Sequence, residues 1–346
     1  MPSRVRTLAA AGAAALTVAV LTSCAGGPPA APAPPPEAGA GVENCGRPVP
    51  VGAPPQRIFA AFQNGIEMVH ALDAGDRLVG TAYLDNPILA EFAADQARPA
   101  YFPEEYPSRE EVLRLDPDFV VSGFTGGFTT EGLGTRTELA SIGIGSYLFT
   151  PYCPPADGGA QADVVAAPVP FDEVYTDITD LGRILGRPDL ATQRVDAMRT
   201  EIAQVQGAVA PLPRPRVAVL NRLASGGAGL RVFGADDIAT TIVEAAGGQQ
   251  AFGDVSGRQT QVGAEEIVRR NPDVILVPAC CSADTGPEGA QPVIDGLLAD
   301  PALASVPAVR DGRIAGITFA EISPGVRNAD AVANVARILH PGAQGL

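Results

Sequence analysis

Short β-prone apolar runs alternate along the chain with stretches of helical period. Runs at 57–62, 77–84 and 143–149, and later at 216–223 and 313–320, have the length and composition of strands. One phrase occurs twice. "EEVLRLDPDFVV" spans Glu110 to Val121, and "EEIVRRNPDVIL" spans Glu265 to Leu276. In the first copy, Ser108 and Glu111 form a capping-box pattern. Val112 and Leu113 give a short apolar side. Pro117 ends the helix, because it lacks an N–H and clashes with the preceding turn. Phe119 to Val121 then reads as a buried parallel strand, broken at Gly123. Ile267, Val268, Pro272 and Val274 to Val277 repeat the design. Each half of the chain thus holds an αβ unit of one kind. The simplest account is two α/β lobes with mostly parallel sheets.

Between the halves the period changes. Val174, Ile178, Leu181 and Leu185 form one apolar stripe, interrupted by "GRPD" at 186–189. Ala191, Val195, Met198, Ile202, Val205 and Val209 then recur at spacings of four and three, which predicts a long amphipathic helix. From Pro188 to Val209 it would run about 33 Å at 1.5 Å per residue, long enough to bridge two lobes. The expected divisions are an N-terminal lobe over 56–170, a helical segment over 171–210 and a C-terminal lobe over 211–346.

The N-terminus reads as an address. Arg4 and Arg6 precede an unbroken run of small and apolar residues from Leu8 to Leu21. A membrane span needs about 20 residues, so residues 1–23 read as a cleaved signal. Leu21-Thr22-Ser23-Cys24 looks like a bacterial lipobox, with Cys24 the lipidated new terminus. An ordinary signal with a chance cysteine is the alternative. Residues 24–55 are expected to be the lipidated cysteine and a Pro/Ala-rich tether, since the stretch at 25–41 cannot build a core.

Composition narrows the chemistry. Removing Arg4 and Arg6 takes the net charge from −15 to −17, so nucleic acid is not an expected partner. The chain has no lysine, which excludes a P-loop lysine, a Schiff base and a pyridoxal anchor. Its two histidines, His70 and His340, are too few for a metal cage built on several histidines. No G-x-S-x-G elbow occurs.

The order and spacing of several phrases resemble one family. These are "QRIFAAFQNGIEMVHALDAGDRLVGTAYLDNP", the two Pro-Asp phrases, "VEAAGGQQAFGDV" at 243–255 and "AVRDGRIAGI" at 308–317. The family is the periplasmic-binding-protein-like substrate receptors of ABC transporters that serve ferric siderophores, haem and cobalamin. "SPGVRNADAVANVARILHP" at 323–341 and "PSREEVL" look like a subgroup with one relative named for a deazaflavin-cofactor precursor. The resemblance implies two lobes bridged by one long helix, closing modestly on solute. It implies a monomer that delivers its solute to a permease and its ATPase, touching the membrane only through a lipid anchor. No cofactor is expected; the solute itself is expected to be a ferric chelate, with an organic cofactor as the rival. A tethered α/β enzyme or a cell-surface interaction domain is the rival of another class. In such receptors an acidic residue on each lobe meets the permease. Glu104, Glu105, Glu110 and Glu111 in one lobe, and Glu265 and Glu266 in the other, are the candidates. The same glutamates would also favour the positive ends of helices.

Ligands in parallel α/β sheets collect outside the carboxyl ends of strands. Gln63, Asn64, Tyr83, Asp85, Phe124, Thr125 and Phe128 are therefore the candidate ligand residues of the first lobe. Asn221, Arg222, Arg231, Arg258, Glu321 and Arg327 are those of the second. Arginine offers a planar fork of donors for carboxylate or phosphate, and Arg222 and Arg327 are the leading pair. Each residue also has a plain alternative, as a helix cap, a lobe plug or a surface ion pair. Cys45 and Cys153, both in Pro-rich loops, are expected to form a disulfide, with free thiols the alternative. Cys280 and Cys281 are adjacent after a strand and so would face the cleft. A metal there is not expected, since no third soft ligand is evident.

Overall fold

The computed structural model describes residues 41–103, 107–130, 132–154, 167–222 and 229–346, with Arg222 by its backbone only. The proposed signal and lipobox, together with Glu104 and Glu105, lie outside the described residues. The first strands are β1 (Val42–Asn44) and β2 (Arg47–Val49), an antiparallel hairpin. The first lobe follows as β3 (Ile58–Ala61), α1 (Gln63–Ala71), β4 (Leu78–Ala82), α2 (Ala93–Gln96) and β5 (Ala100–Phe102). It continues through α3 (Arg109–Leu113), β6 (Phe119–Ser122), α4 (Arg136–Ser141) and β7 (Gly145–Leu148). Its sheet is wholly parallel, in the order β5-β4-β3-β6-β7. The winding reverses between β3 and β6, where such sheets open a crevice.

The folded body starts earlier than expected. Residues 42–49 were expected in the tether, yet Val42, Asn44 and Val49 are buried. Asn44 donates to the Leu148 carbonyl at 2.8 Å and accepts from the Leu148 N–H at 3.0 Å, mimicking a strand partner at the edge of the sheet. Cys45 and Cys153 form the expected disulfide and fasten this arm.

Helices α5 (Phe171–Ile184) and α6 (Pro188–Val209) make the bridge. The buried residues of α6 are Ala191, Val195, Met198, Ile202, Val205 and Val209, the stripe read from the sequence. The second lobe then runs β8 (Arg216–Arg222), β9 (Leu230–Phe233), α7 (Ile238–Ala245), β10 (Gln249–Gln250), β11 (Gln259–Val262) and α8 (Ala264–Arg270). It ends with β12 (Val274–Ala279), α9 (Gln291–Leu298), α10 (Pro307–Arg310), β13 (Ile314–Thr318) and α11 (Asn328–Leu339). The sheet order is β11-β9-β8-β12-β13, with β10 beside β8. Here β9 runs antiparallel to both neighbours, so this sheet is mixed. Strands joined directly can return antiparallel, whereas a parallel partner needs a crossover. Among the described residues, no helix is long and apolar enough to cross a membrane.

Alternation along the strands sorts the second lobe into two layers. Val217, Val219 and Leu276 join a cluster that runs through α6, α7 and α11 into the first lobe. Ala218, Leu220, Ile275 and Val277 face a separate cluster. The period of two along a strand explains the split.

The repeated phrase does one structural job twice. Asp118 accepts from the Gln56 N–H at 2.8 Å and the Arg57 N–H at 3.0 Å, and its own N–H donates to the Arg57 carbonyl at 2.9 Å. Asp273 accepts from the Arg216 N–H at 2.8 Å, and its N–H donates to the Arg216 carbonyl at 2.8 Å. Each aspartate thus pins the chain entering a central strand, β3 or β8, to the start of its neighbour. Proline before it stops the helix, and the aspartate sets the register.

Candidate functional site

Loops at the carboxyl ends of both sheets enclose a cavity of about 720 Å³. The first lobe contributes Phe62 and Asn64 after β3, Tyr83 and Asp85 after β4, Gly123 and Phe124 after β6, and Tyr152. The second contributes Asn221 on β8, Arg231 and Phe233 on β9, Gly257, Arg258 and Gln259 around the start of β11, and Cys280 and Cys281 after β12. Phe319 and Ser323, beyond β13, complete the lining. Three of these residues turn the chain sharply just past a strand. Phe62, Tyr83 and Cys281 have φ of 67°, 60° and 84°. Side chains larger than glycine rarely take that backbone region, and holding each there costs about 1–3 kcal/mol. Gly123 has its own packing reason: a Cβ would lie 1.8 Å from Asn64 Oδ1.

Aromatic rings dominate the first-lobe wall, and two more stand among the polar groups of the second. Phe62 meets Tyr83 edge-on at 5.8 Å and Phe124 at 5.5 Å, and Phe124 meets Tyr152 at 5.1 Å. Phe233 and Phe319 lie 6.4 Å apart on the second lobe. Arg258 reaches across and places its guanidinium 4.7 Å over the Tyr152 ring. It also donates to Asp237 at 3.1 Å and to the Tyr152 hydroxyl at 3.3 Å. Burial raises the Asp237 carboxyl, against the pull of Arg258 and the Ala239 N–H. Burial likewise pushes the Tyr152 phenol up to about 12, with Arg258 opposing, so it stays protonated at neutral pH. Arg231 differs. It is exposed at the cavity and donates to Gln259 at 3.5 Å. It is a cation turned toward whatever enters.

Asn64, Tyr83, Asp85, Phe124, Asn221, Arg231 and Arg258 line the cavity as expected. Arg222 ends β8 beside it, but its side chain lies outside the described residues. Five other candidates are placed elsewhere. Gln63 is buried, donating to Glu67 at 2.7 Å and accepting from the Asn86 N–H at 3.2 Å. Thr125 and Phe128 are buried within the turn that follows β6, with Arg136 over the Phe128 ring. Glu321 closes a capping box with Thr318. Arg327, a leading candidate, instead pairs with Glu67 of the first lobe through Nε at 2.7 Å and through Nη2. Phe62 and Phe319 directly follow β3 and β13, so the strand-end rule reaches them too, although they are not among the expected residues. Tyr152 and Phe233 carry no local signal at all.

The lobes are tied below the cavity. Asn86 is fully buried and donates to the carbonyls of Ala279 at 3.0 Å and Thr285 at 2.7 Å, while accepting from the Ala320 N–H at 2.9 Å. Asn64 donates to the Pro324 carbonyl at 2.9 Å, and the Ser282 N–H donates to the Asp85 carbonyl at 3.2 Å. Asp85 also brings a carboxylate beside the sulfurs of Cys280 and Cys281, all three donor atoms lying within 4.8 Å of one another. These cysteines are joined as a vicinal disulfide.

A family described as "Periplasmic binding protein" matches residues 58–320 of the chain. Among solved structures, a periplasmic binding protein from Veillonella parvula DSM 2008 superposes with a TM-score of 0.72 at 21% identity, over 84% of this chain and 93% of that one. An ABC-type Fe3+-hydroxamate transport system from Saccharomonospora viridis DSM 43017 gives 0.70 at 26% identity, over 86% and 98%. The apo form of a periplasmic heme-binding protein from Roseiflexus sp. RS-1 gives 0.65 at 21%, over 84% and 99%. No curated protein matches the sequence.

Proposed function

The chain belongs to the periplasmic binding protein family, and from that premise we propose that its solute is a ferric siderophore or a related ferric chelate. Its role is the solute-binding one in ABC import, on the extracytoplasmic side of the membrane, and it is a binding protein, not an enzyme. The observation that carries the finer reading is the cavity, with its aromatic first-lobe wall and the exposed Arg231 on the second lobe. A siderophore complex offers both matching faces: oxygen donors with partial or full negative charge, and apolar arms. Arginine forks suit the first and aromatic faces the second. The relative from Saccharomonospora viridis, described as part of an Fe3+-hydroxamate transport system, points the same way.

The protein's own groups favour a chelate that arrives with its iron already coordinated. Haem iron takes a histidine, thiolate, methionine or tyrosine from the protein. His70 is buried against Gln96 and His340 follows α11, so neither lines the cavity. Of the two tyrosines in the lining, Tyr152 is held as a phenol under Arg258 and Tyr83 remains, while Cys280 and Cys281 are joined to each other. A complete ferric chelate asks for none of these ligands.

On this reading Cys24 carries the lipid, and the stretch at 25–41 spaces the body from the membrane. The first glutamates of the repeated phrases, Glu110 and Glu265, are exposed at the starts of α3 and α8. Their neighbours are committed within the chain, Glu111 to Ser108 and Glu266 to Arg269 and Arg270. Glu110 and Glu265 are therefore the pair offered to the permease.

The test is calorimetric melting against ferric hydroxamates, ferric catecholates, ferric citrate, haem, cobalamin and deazaflavin precursors. A ligand at a hundredfold its Kd adds about 2.7 kcal/mol of stability. A rise with one ferric class, absent with the iron-free form, is the expected result. A rise with haem, cobalamin or a deazaflavin precursor alone would overturn the siderophore assignment and leave the transport role standing.

A further inference from the structure

The vicinal cysteines are a feature the transport reading does not use. They line the cavity directly after β12. Their own sequence offers no third soft ligand, and the carboxylate that lies beside them comes from the other lobe. An Asp85 carboxylate oxygen and the two sulfurs lie within 4.8 Å of one another. Asp85 is 7% exposed, so its carboxylate has a defined place. Backbone contacts that do not involve the disulfide hold it there. The Ser282 N–H bonds the Asp85 carbonyl, and Asn86 bonds the Ala279 carbonyl. The Asp85 loop therefore stays beside the cysteine loop whether or not the sulfurs are joined. Cys281 also keeps φ 84° and is exposed, so a reductant can reach it.

We propose that Asp85, Cys280 and Cys281 form a redox-gated site for a thiophilic divalent cation of the zinc–cadmium class, shut by the disulfide and opened by thiol reductants. Opening consumes two thiols or one dithiol. The S–S bond breaks, each cysteine sulfur gains one electron and one proton, and the reductant leaves as its own disulfide. The cation then displaces both sulfur protons to solvent and forms two metal–thiolate bonds, with the Asp85 carboxylate as third donor. Tetrahedral bonds of about 2.3 Å set neighbouring sulfurs about 3.8 Å apart, so the sulfurs part to bind the cation once the bond between them is broken. Thiolates select the softer cations over magnesium or calcium. Three protein donors and a fourth position open to the cavity are the arrangement of an exchangeable zinc site. The proposal is independent of which solute the cavity carries.

The test titrates cadmium into the protein, oxidised and after reduction by a phosphine, under anaerobic conditions with no solute present. Thiolate-to-cadmium charge transfer in the ultraviolet reads occupancy. The phosphine reduces the same bond, taking oxygen from water to leave as its oxide. The reduced protein should bind one cadmium per chain that the oxidised protein does not. Cys280→Ser with Cys281→Ser should lose that equivalent while retaining Cys24, Cys45 and Cys153, so cadmium held by those shows as background. Asp85→Asn should weaken the site about tenfold or more. Far-ultraviolet circular dichroism checks that each variant folds, and Cys280→Ser alone serves if the double variant does not. Equal binding by the reduced wild type and the cysteine variant would overturn the proposal. So would unchanged affinity in Asp85→Asn.

Discussion

Replacing Arg327 by alanine tests whether the two lobes are held together by a buried charge pair. Glu67 lies on α1 of the first lobe, with its side chain 1% exposed, and Arg327 precedes α11 of the second at 12%. The carboxylate accepts from Gln63 at 2.7 Å, from the Leu89 N–H at 3.2 Å and from Arg327 Nε at 2.7 Å. Arg327 also donates to the Pro87 carbonyl at 2.7 Å. Removing the guanidinium leaves Glu67 with two neutral donors and no counter-charge. Breaking a buried pair in this way costs about 3–5 kcal/mol, whereas replacing both members by neutral groups of similar volume is often neutral. Arg327→Ala should therefore lose about 3–5 kcal/mol. Glu67→Gln with Arg327→Met should recover most of that loss. The assay is urea unfolding followed by far-ultraviolet circular dichroism, because the chain has no tryptophan to report by fluorescence. An apolar cluster continuous across both lobes supports a single transition. A loss below about 1 kcal/mol, the scale of a surface pair, would refute the latch. So would a double variant as unstable as the sum of the singles.

Arg231→Ala should weaken the solute identified by melting by about 1.5–3 kcal/mol, the worth of a hydrogen bond to a charged group. Its melting temperature without solute should hold, since Arg231 is exposed; titration calorimetry reads the first and a thermal scan the second. Asp118→Ala and Asp273→Ala should each destabilise by about 1 kcal/mol in urea unfolding. Asp118→Ala should cost the more, because Asp118 accepts two backbone N–H groups and Asp273 one. Asp177 gives a pH signature. Burial raises its carboxyl to about 7 from an ordinary 3.8, against the hydrogen bonds from Thr150 and Tyr147. The folded state thus favours the protonated acid. That contribution is complete below about pH 4 and is lost as pH rises through about 7. Urea midpoints of the wild type should fall over this window relative to Asp177→Asn, whose amide does not titrate. Parallel curves for the two proteins would remove Asp177 as the cause.

Much of the frame follows from the sequence alone. The α6 stripe, the αβ units around Pro117 and Pro272 and the strand starts depend on spacing between near neighbours. Covalent geometry turns that spacing into a buried face, at 3.6 residues per turn in helices and 2 in strands. The Cys45–Cys153 pairing was legible for another reason, since few cysteines remained in an oxidising context. Polar residues at strand ends, such as Asn64, Tyr83 and Asp85, were legible through the rule that parallel sheets open at their carboxyl ends. The tertiary structure decided which of them face a solute and which hold the protein together. Arg327 reads from its sequence as a ligand arginine, yet Glu67, 260 residues away, claims it. Asp85 and Cys280 come together only because Asn86 and Ser282 bond across the two lobes. Tyr152 becomes a wall of the cavity once Arg258 stacks on it. The physical reason is common to all three. A buried charge, a metal donor set or a stacked cation is defined by distance in space, and nothing in the local periodicity of either partner records which distant segment will pack beside it.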